Sequence, residues 1–552
     1  MIVERHGLRL TVSDDGHFAD FGPLRLRPLA ALDTMGAPDE TYAVEPPVLV
    51  DDGVVEVRRR STAWEKAVVT LALAEDGLEV RTHVRGRGAL DTARLLAVRS
   101  LLPGKPNGLL PSGAAPAELF TPNPDDPERV TRPARERAVI GVVGDSDPGR
   151  GHWFYTPAPL YFVLGDVGIS IVAPVAELRF PQLVYEGGDR SFALALEYEG
   201  HTLVDGAFDA PTVLLTPGVE DPYEGLRAHR ASLAVRGAAP PVEQRITPAW
   251  WSEPIFCGWG AQVARGEASG RRAADLATQA EYDDYLGILE REQVVPGTIT
   301  IDDKWQRTYG RNEPDTGKWP DLHGWIARRH DAGQRVLLWW KAWDAEGLPP
   351  ELCVRNPAGE PLGVDPSNPD AQGLLAEIVT GMLSPAGLDG DGLKIDFTAR
   401  TPSGHAATAS GSWGIALLHE LLSIVHRAAK AAKPAALLVT QTPHPAFVDV
   451  ADMIRLNDMM RLGDGHGPAS VVPQMRHRAR VTAAACPELL VDTDDWAVPS
   501  LAAWREYLRE KSSLGVPALY YADLIEGAGA RLGPEDYLAL RETWSAWRES
   551  RS

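Results

Sequence analysis

The chain has 552 residues, more than the roughly 250–300 that one hydrophobic core accommodates, so two or three domains are expected. Its 55 basic against 76 acidic residues leave a net charge of −21, which argues against nucleic acid or an anionic membrane as partner. Three cysteines (Cys257, Cys353, Cys486) without CxxC spacing are not a disulfide framework or a zinc site, and no apolar run nears the ~20 residues of a membrane span.

The opening residues, MIVERHGLRLTVSDDGHF, hold no apolar stretch of signal-peptide length, so a cytoplasmic protein is expected. The richness in Ala, Arg, Gly and Pro suggests a GC-rich bacterial source. Residues 1–235 read as short strands, among them VVEVRRRSTAW, AVVTLALAEDGLEVRTHV, YFVLGDVGISIVAPVAEL and SFALALEYEGHTLV. Alternation with frequent Gly, Asp and Pro turns predicts an antiparallel β-sandwich. DPYEGLRAHRASLAVRG reads as a short helix leaving it, and the Pro-rich residues 236–251 as a linker.

From residue 252 to 552 the rhythm becomes strand, helix, strand, helix. Eight apolar strands can be counted: PIFCGWG (254–260), GTITIDD (297–303), RVLLWWK (335–341), GLKIDF (392–397), ALLVTQT (436–442), MIRLND (453–458), LLVDTDD (489–495) and PALYYAD (517–523). That alternation over ~250–300 residues predicts a (β/α)8 TIM barrel, with only a weak helix between strands five and six.

A TIM barrel places its active site at the C-terminal ends of its strands. Six of the eight apolar runs end in charged or indole groups: Trp259; Asp302 and Asp303; Trp340 and Lys341; Lys394 and Asp396; Arg455 and Asp458; and Asp492, Asp494 and Asp495. In GLKIDF, Lys394 and Asp396 are two apart and share a face, and a lysine beside an aspartate favours the ionised carboxylate. Such a carboxylate can attack an anomeric carbon. Asp458 supplies the second carboxyl that a retaining glycosidase needs, with Asp464 and Asp452 as alternatives; an N-cap role for Asp458 stays open. Lys341 can bind an anionic substituent on a sugar or pair with a neighbouring Asp. No metal and no cofactor is expected, since the carboxylates lack metal-ligating His partners and no Gly-rich phosphate loop is present.

In order, these strand-end motifs resemble glycoside hydrolase clan D, family 36 above all (α-galactosidases and raffinose-synthase-like enzymes), with family 31 α-glucosidases as relatives. The resemblance rests on Asp302-Asp303-Lys304-Trp305 after strand two, LLWWKAWD after strand three, Lys394-Ile395-Asp396 on strand four and Arg455 with Asp458 on strand six. It departs at Lys304, where the family has Gly, and in an Arg-to-Asp spacing one residue shorter. It implies Asp396 as nucleophile, Asp458 as acid/base, Asp302 and Asp303 on the O4 and O6 side, and Lys394 and Arg455 toward O3 and O2. Trp259, Trp305 and Trp340 are candidate platforms, and Gln441 a contact for the 2-substituent. His405 and His444, on strand-end loops, are expected to be solvated. The implied activity is retaining hydrolysis of a terminal α-linked hexose, galactose first, on a small oligosaccharide or glycoside. Transglycosylation, sugar binding without turnover and a metal-dependent barrel lyase are the competing readings. Relatives often form homo-oligomers.

Overall fold

The computed structural model describes residues 1–100, 109–113, 116–124, 130–142, 156–459, 470–525 and 529–551. Its N-terminal part is antiparallel β-structure. Gly77–Leu95 and Ser191–Asp209, 19 residues each, pair along most of their length with a bulge between Leu90 and Thr92. Val54–Ser61 shows why such segments become strands: Val55, Val57 and Arg59 are buried, while the residues between them face outward. A small four-stranded sheet over residues 2–26 packs its Leu10, Phe21 and Leu26 into the same core. The helix Pro222–Val235 follows, begun by Asp221, whose carboxylate accepts the Tyr223 N–H.

The second part is a barrel of eight parallel strands: β1 (Ile255–Cys257), β2 (Thr298–Ile301), β3 (Arg335–Lys341), β4 (Gly392–Asp396), β5 (Leu437–Thr440), β6 (Met453–Arg455), β7 (Leu490–Asp492) and β8 (Ala518–Leu519). A bridge between Asp492 and Val516 closes β7 onto β8. Each apolar run counted in the sequence contains one of these strands. Helices follow them in turn, except between β5 and β6, where only the short 3-10 turn Pro445–Phe447 intervenes.

Register decides which side chains face the barrel axis. Trp339 lies opposite Lys394 and Lys341 opposite Asp396; Arg455 lies opposite Asp492. Neighbours in a parallel ladder point the same way, so these residues share the interior, while Trp340 and Ile395 point to the helices.

The two parts are joined by backbone. The first N–H groups of helix Gly414–Ala432 lack partners within the helix. Those of Ile415 and Ala416 donate to the carbonyls of Phe180 and Leu178 in the sandwich. The approach is close enough that a Cβ on Gly414 would lie 2.3 Å from the Phe180 carbonyl carbon. No helix among the described residues is long and apolar enough to cross a membrane.

Candidate active site

Arg455 is the hub of the barrel mouth. Its guanidinium is buried, and both terminal nitrogens are engaged. One terminal nitrogen donates to Asp458 at 2.8 Å and to Asp494 at 2.6 Å; the other donates to Asp396 at 3.1 Å, to Gln441 at 2.9 Å and to Asn457 at 2.9 Å. A planar fork of this kind sets several acceptors in fixed geometry. It places the carboxylates of Asp396 and Asp458 side by side, with 21% and 26% of their side chains exposed.

The two carboxyls have opposite electrostatics. Burial works against the charge on Asp396, but Arg455 and Lys394 outweigh it. The Phe397 N–H (2.8 Å) and the Trp339 indole N–H (3.2 Å) add hydrogen bonds, so its pKa lies below the ordinary carboxylate value. Asp458 is pushed up to about 6 by burial and by the charges of Asp396 and Asp494, against the pull of Arg455. One cation thus serves an ionised carboxylate and a protonatable one.

Lys394 does not bond Asp396. Its Nζ is buried and donates to Asp302 at 2.7 Å and to Cys257 Sγ at 3.4 Å, beneath the mouth. Asp302 is likewise engaged: one oxygen takes Lys394 and the Cys257 thiol, and the other accepts the Asp303 N–H. Lys394 and Asp302 thus fix each other in place, with three donors on a carboxylate that can accept about four. Asp303 is half-buried. It accepts the Tyr309 hydroxyl at 2.8 Å, and burial raises its pKa to about 6 despite that bond.

The tryptophans separate by parity. Trp305 is fully buried and donates its indole N–H to the Trp339 carbonyl, and Trp340 is buried toward the helix layer. Neither presents an indole face at the mouth: Trp305 is fully buried in the segment after β2, and Trp340 stands on the outward-facing side of β3. Trp339, one residue earlier, is the indole that reaches Asp396. Trp259 is half-buried at the mouth and meets Trp496 edge to face at 5.5 Å. Lys341 pairs with Asp344 at 2.7 Å and sits 4.2 Å from the centre of the Tyr309 ring.

Of the alternatives to Asp458, Asp464 lies outside the described residues. Asp452 precedes β6, at the other end of the strand from Arg455, and is bonded to Lys430 and the Leu438 N–H. Among the described residues Asp458 caps no helix; the helix Val471–Ala485 has Ser470 as its N-cap. In the β7 cluster, Asp495 is structural: it holds Lys511, the Trp504 indole and the Tyr520 N–H. Burial and Asp494 raise Asp492 to about 6. His405 is exposed, whereas His444 is buried and accepts the Ala446 N–H. Sequence reasoning missed Trp339, Tyr309, Asn457 and Trp496. Neither Trp339, whose place beside Asp396 depends on the register of β3 against β4, nor Tyr309, which sits in a loop, gave a signal in the sequence. No group of three or more His, Cys, Asp or Glu side chains among the described residues could hold a metal ion.

Neither a family model nor a curated protein matches the sequence. Solved structures do match the fold. A family 31 sulfoquinovosidase from E. rectale, solved with an aza-sugar inhibitor, aligns with TM-score 0.60 and 11% identity over 100% of this chain and 83% of its own. An α-galactosidase from Thermus thermophilus, in complex with stachyose, aligns with TM-score 0.54 and 16% identity over 88% and 99%. A cycloalternan-forming enzyme from Listeria monocytogenes aligns with TM-score 0.56 and 11% identity over 99% of this chain, which spans 57% of that one. At these identities the likeness is one of fold.

Proposed function

We propose that this chain is a retaining α-glycoside hydrolase of the clan D type that removes a terminal α-linked hexose, galactose first, through a covalent glycosyl-aspartate. The observation that carries the reading is the pair Asp396 and Asp458 on one guanidinium, one carboxyl held ionised and the other held protonatable. A retaining glycosidase needs two carboxyls about 5–5.5 Å apart in these two states.

In the first step Asp396 attacks the anomeric carbon while Asp458 gives its proton to the leaving oxygen. The Trp339 indole and the Phe397 N–H fix the attacking carboxylate from two sides. In the second step Asp458, now ionised, takes a proton from water, and the water oxygen displaces Asp396 from the sugar. Asp303, facing the mouth from the β2 end, is the carboxyl placed to take hydroxyls on the far side of the ring. The fold shared with an α-galactosidase and a sulfoquinovosidase supports this reading at the level of the scaffold.

The test is turnover of a panel of nitrophenyl α- and β-glycosides. Hydrolysis of an α-hexoside is expected, with Asp396→Ala lowering kcat by at least about 10³-fold, since loss of a covalent nucleophile removes the whole pathway. Activity within a few-fold of the parent would end the assignment.

A further inference from the structure

Past Arg455 the chain leaves the β6 ladder, and its backbone groups must find partners elsewhere. The N–H groups turn to the β7 side: Leu456 donates to the Asp492 carbonyl at 2.9 Å and Met459 to the Trp496 carbonyl at 3.1 Å. The carbonyls turn to one side chain. A single terminal nitrogen of Arg478 donates to the carbonyls of Leu456 at 2.7 Å, Asn457 at 2.8 Å and Asp458 at 2.8 Å.

Three successive carbonyls can meet one nitrogen because the backbone between them is not extended. Asn457 takes a φ of 69°, in the left-handed region that asparagine enters more readily than most side chains. Arg478 stands on the helix Val471–Ala485 and is fully buried, and its other terminal nitrogen donates to Gln474 one turn earlier at 3.2 Å. The guanidinium is thus set from its own helix and turns its donors on the segment that carries Asp458.

The mechanism above uses the Asp458 side chain alone. One of its oxygens is tied to Arg455, which also ties Asp396. That bond fixes one end of the carboxyl; the backbone fixes the other. A proton donor works from one place only, and a shift of about 1 Å at a reacting group can cost roughly 10²-fold in rate.

We propose that Arg478 is the positioning residue of the acid/base, holding the backbone of residues 456–458 so that the Asp458 carboxyl keeps its place beside Asp396. The assignment rests on the glycosidase reading above. It differs in its consequences from a contribution to stability. Acid assistance matters most where the leaving group is poor and least where it departs unaided. A displaced Asp458 therefore penalises poor leaving groups selectively, whereas a smaller folded fraction lowers turnover of every substrate alike.

Two chains test it: Arg478→Met, which removes the donors, and Arg478→Lys, whose ammonium keeps three. The readout is the ratio of kcat/KM for a methyl glycoside to kcat/KM for the dinitrophenyl glycoside of the same sugar, from which the folded fraction cancels. That ratio is expected to fall about 30-fold or more in Arg478→Met and to stay within about fivefold of the parent in Arg478→Lys. An unchanged ratio in Arg478→Met, or equal falls in both chains, overturns the assignment. A second measurement does not depend on turnover: the Leu456 and Met459 amides should exchange at least about tenfold faster in Arg478→Met than in Arg478→Lys. Equal exchange in the two chains overturns it. Faster exchange in Arg478→Met, with a parent chain that cleaves no glycoside, would instead leave the backbone clamp standing and defeat the glycosidase reading.

Discussion

Asp396 and Asp458 carry the same functional group, and one side chain, Arg455, touches both. Their difference lies in the second layer. Asp396 also receives the Trp339 and Phe397 N–H donors and the field of Lys394, whereas Asp458 sits close to the negative charges of Asp396 and Asp494. The sign of the pH dependence follows. Glycosyl transfer to Asp396 requires that group ionised and Asp458 protonated. Activity should therefore be lost on the acid side only below the ordinary carboxylate value, and on the basic side as pH rises through about 6. A kcat/KM profile of the free enzyme measures both limbs, which belong to the coupled pair. Asp458→Asn should abolish the basic limb and lower kcat/KM for a poor leaving group by about 10²–10⁴-fold. A profile flat across about pH 5–8 would remove Asp458 from its role.

At the scale of the element, β3 carries a Trp-Trp pair whose members do unrelated work. Trp339 faces the barrel interior and donates to Asp396, the proposed nucleophile; Trp340 is buried against the helices. Trp339→Phe should leave the thermal transition nearly in place and cut kcat about tenfold, the loss expected for one hydrogen bond to a charged group. Trp340→Ala should do the reverse, costing about 3–5 kcal/mol in denaturant unfolding with kcat little changed in the folded fraction. If Trp340→Ala proved the more damaging to turnover in folded protein, the register of β3 against β4 would be wrong. β2 teaches the same lesson: Asp302 turns inward to Lys394, and only Asp303 has a half-exposed side chain at the mouth.

At the scale of the whole molecule, the sandwich helps to build the barrel mouth. Glu199 accepts the Gly404 N–H at 2.7 Å and the Trp413 indole N–H at 3.0 Å, and His201 stacks on Trp413 at 3.5 Å. Thr156 bonds Thr398 and the Gln441 carbonyl beside it. These contacts pin residues 397–413, the segment that carries Phe397 and Arg400. Glu199→Ala leaves two donors without their acceptor and should loosen that segment by about 1–3 kcal/mol. Faster amide exchange in residues 397–413, with a raised KM, is the expected signature; exchange no faster than in the parent would show that the barrel holds this loop alone.

The strand count, the change of rhythm near residue 252 and the residues at the strand ends were legible in the sequence, because they rest on local alternation and on where apolar runs stop. The interior pair Lys394 and Asp396 was legible for the same reason: a period of two places them on one face whatever surrounds them. Partnership was not legible. The lysine two residues from Asp396 serves Asp302 just after β2, the cation beside Asp396 comes from β6, and Trp339 replaces Trp340 at Asp396. Those assignments depend on the stagger of neighbouring strands and on which long side chain reaches across the barrel. Both are set by closure of the eight strands, which no local pattern in the sequence encodes.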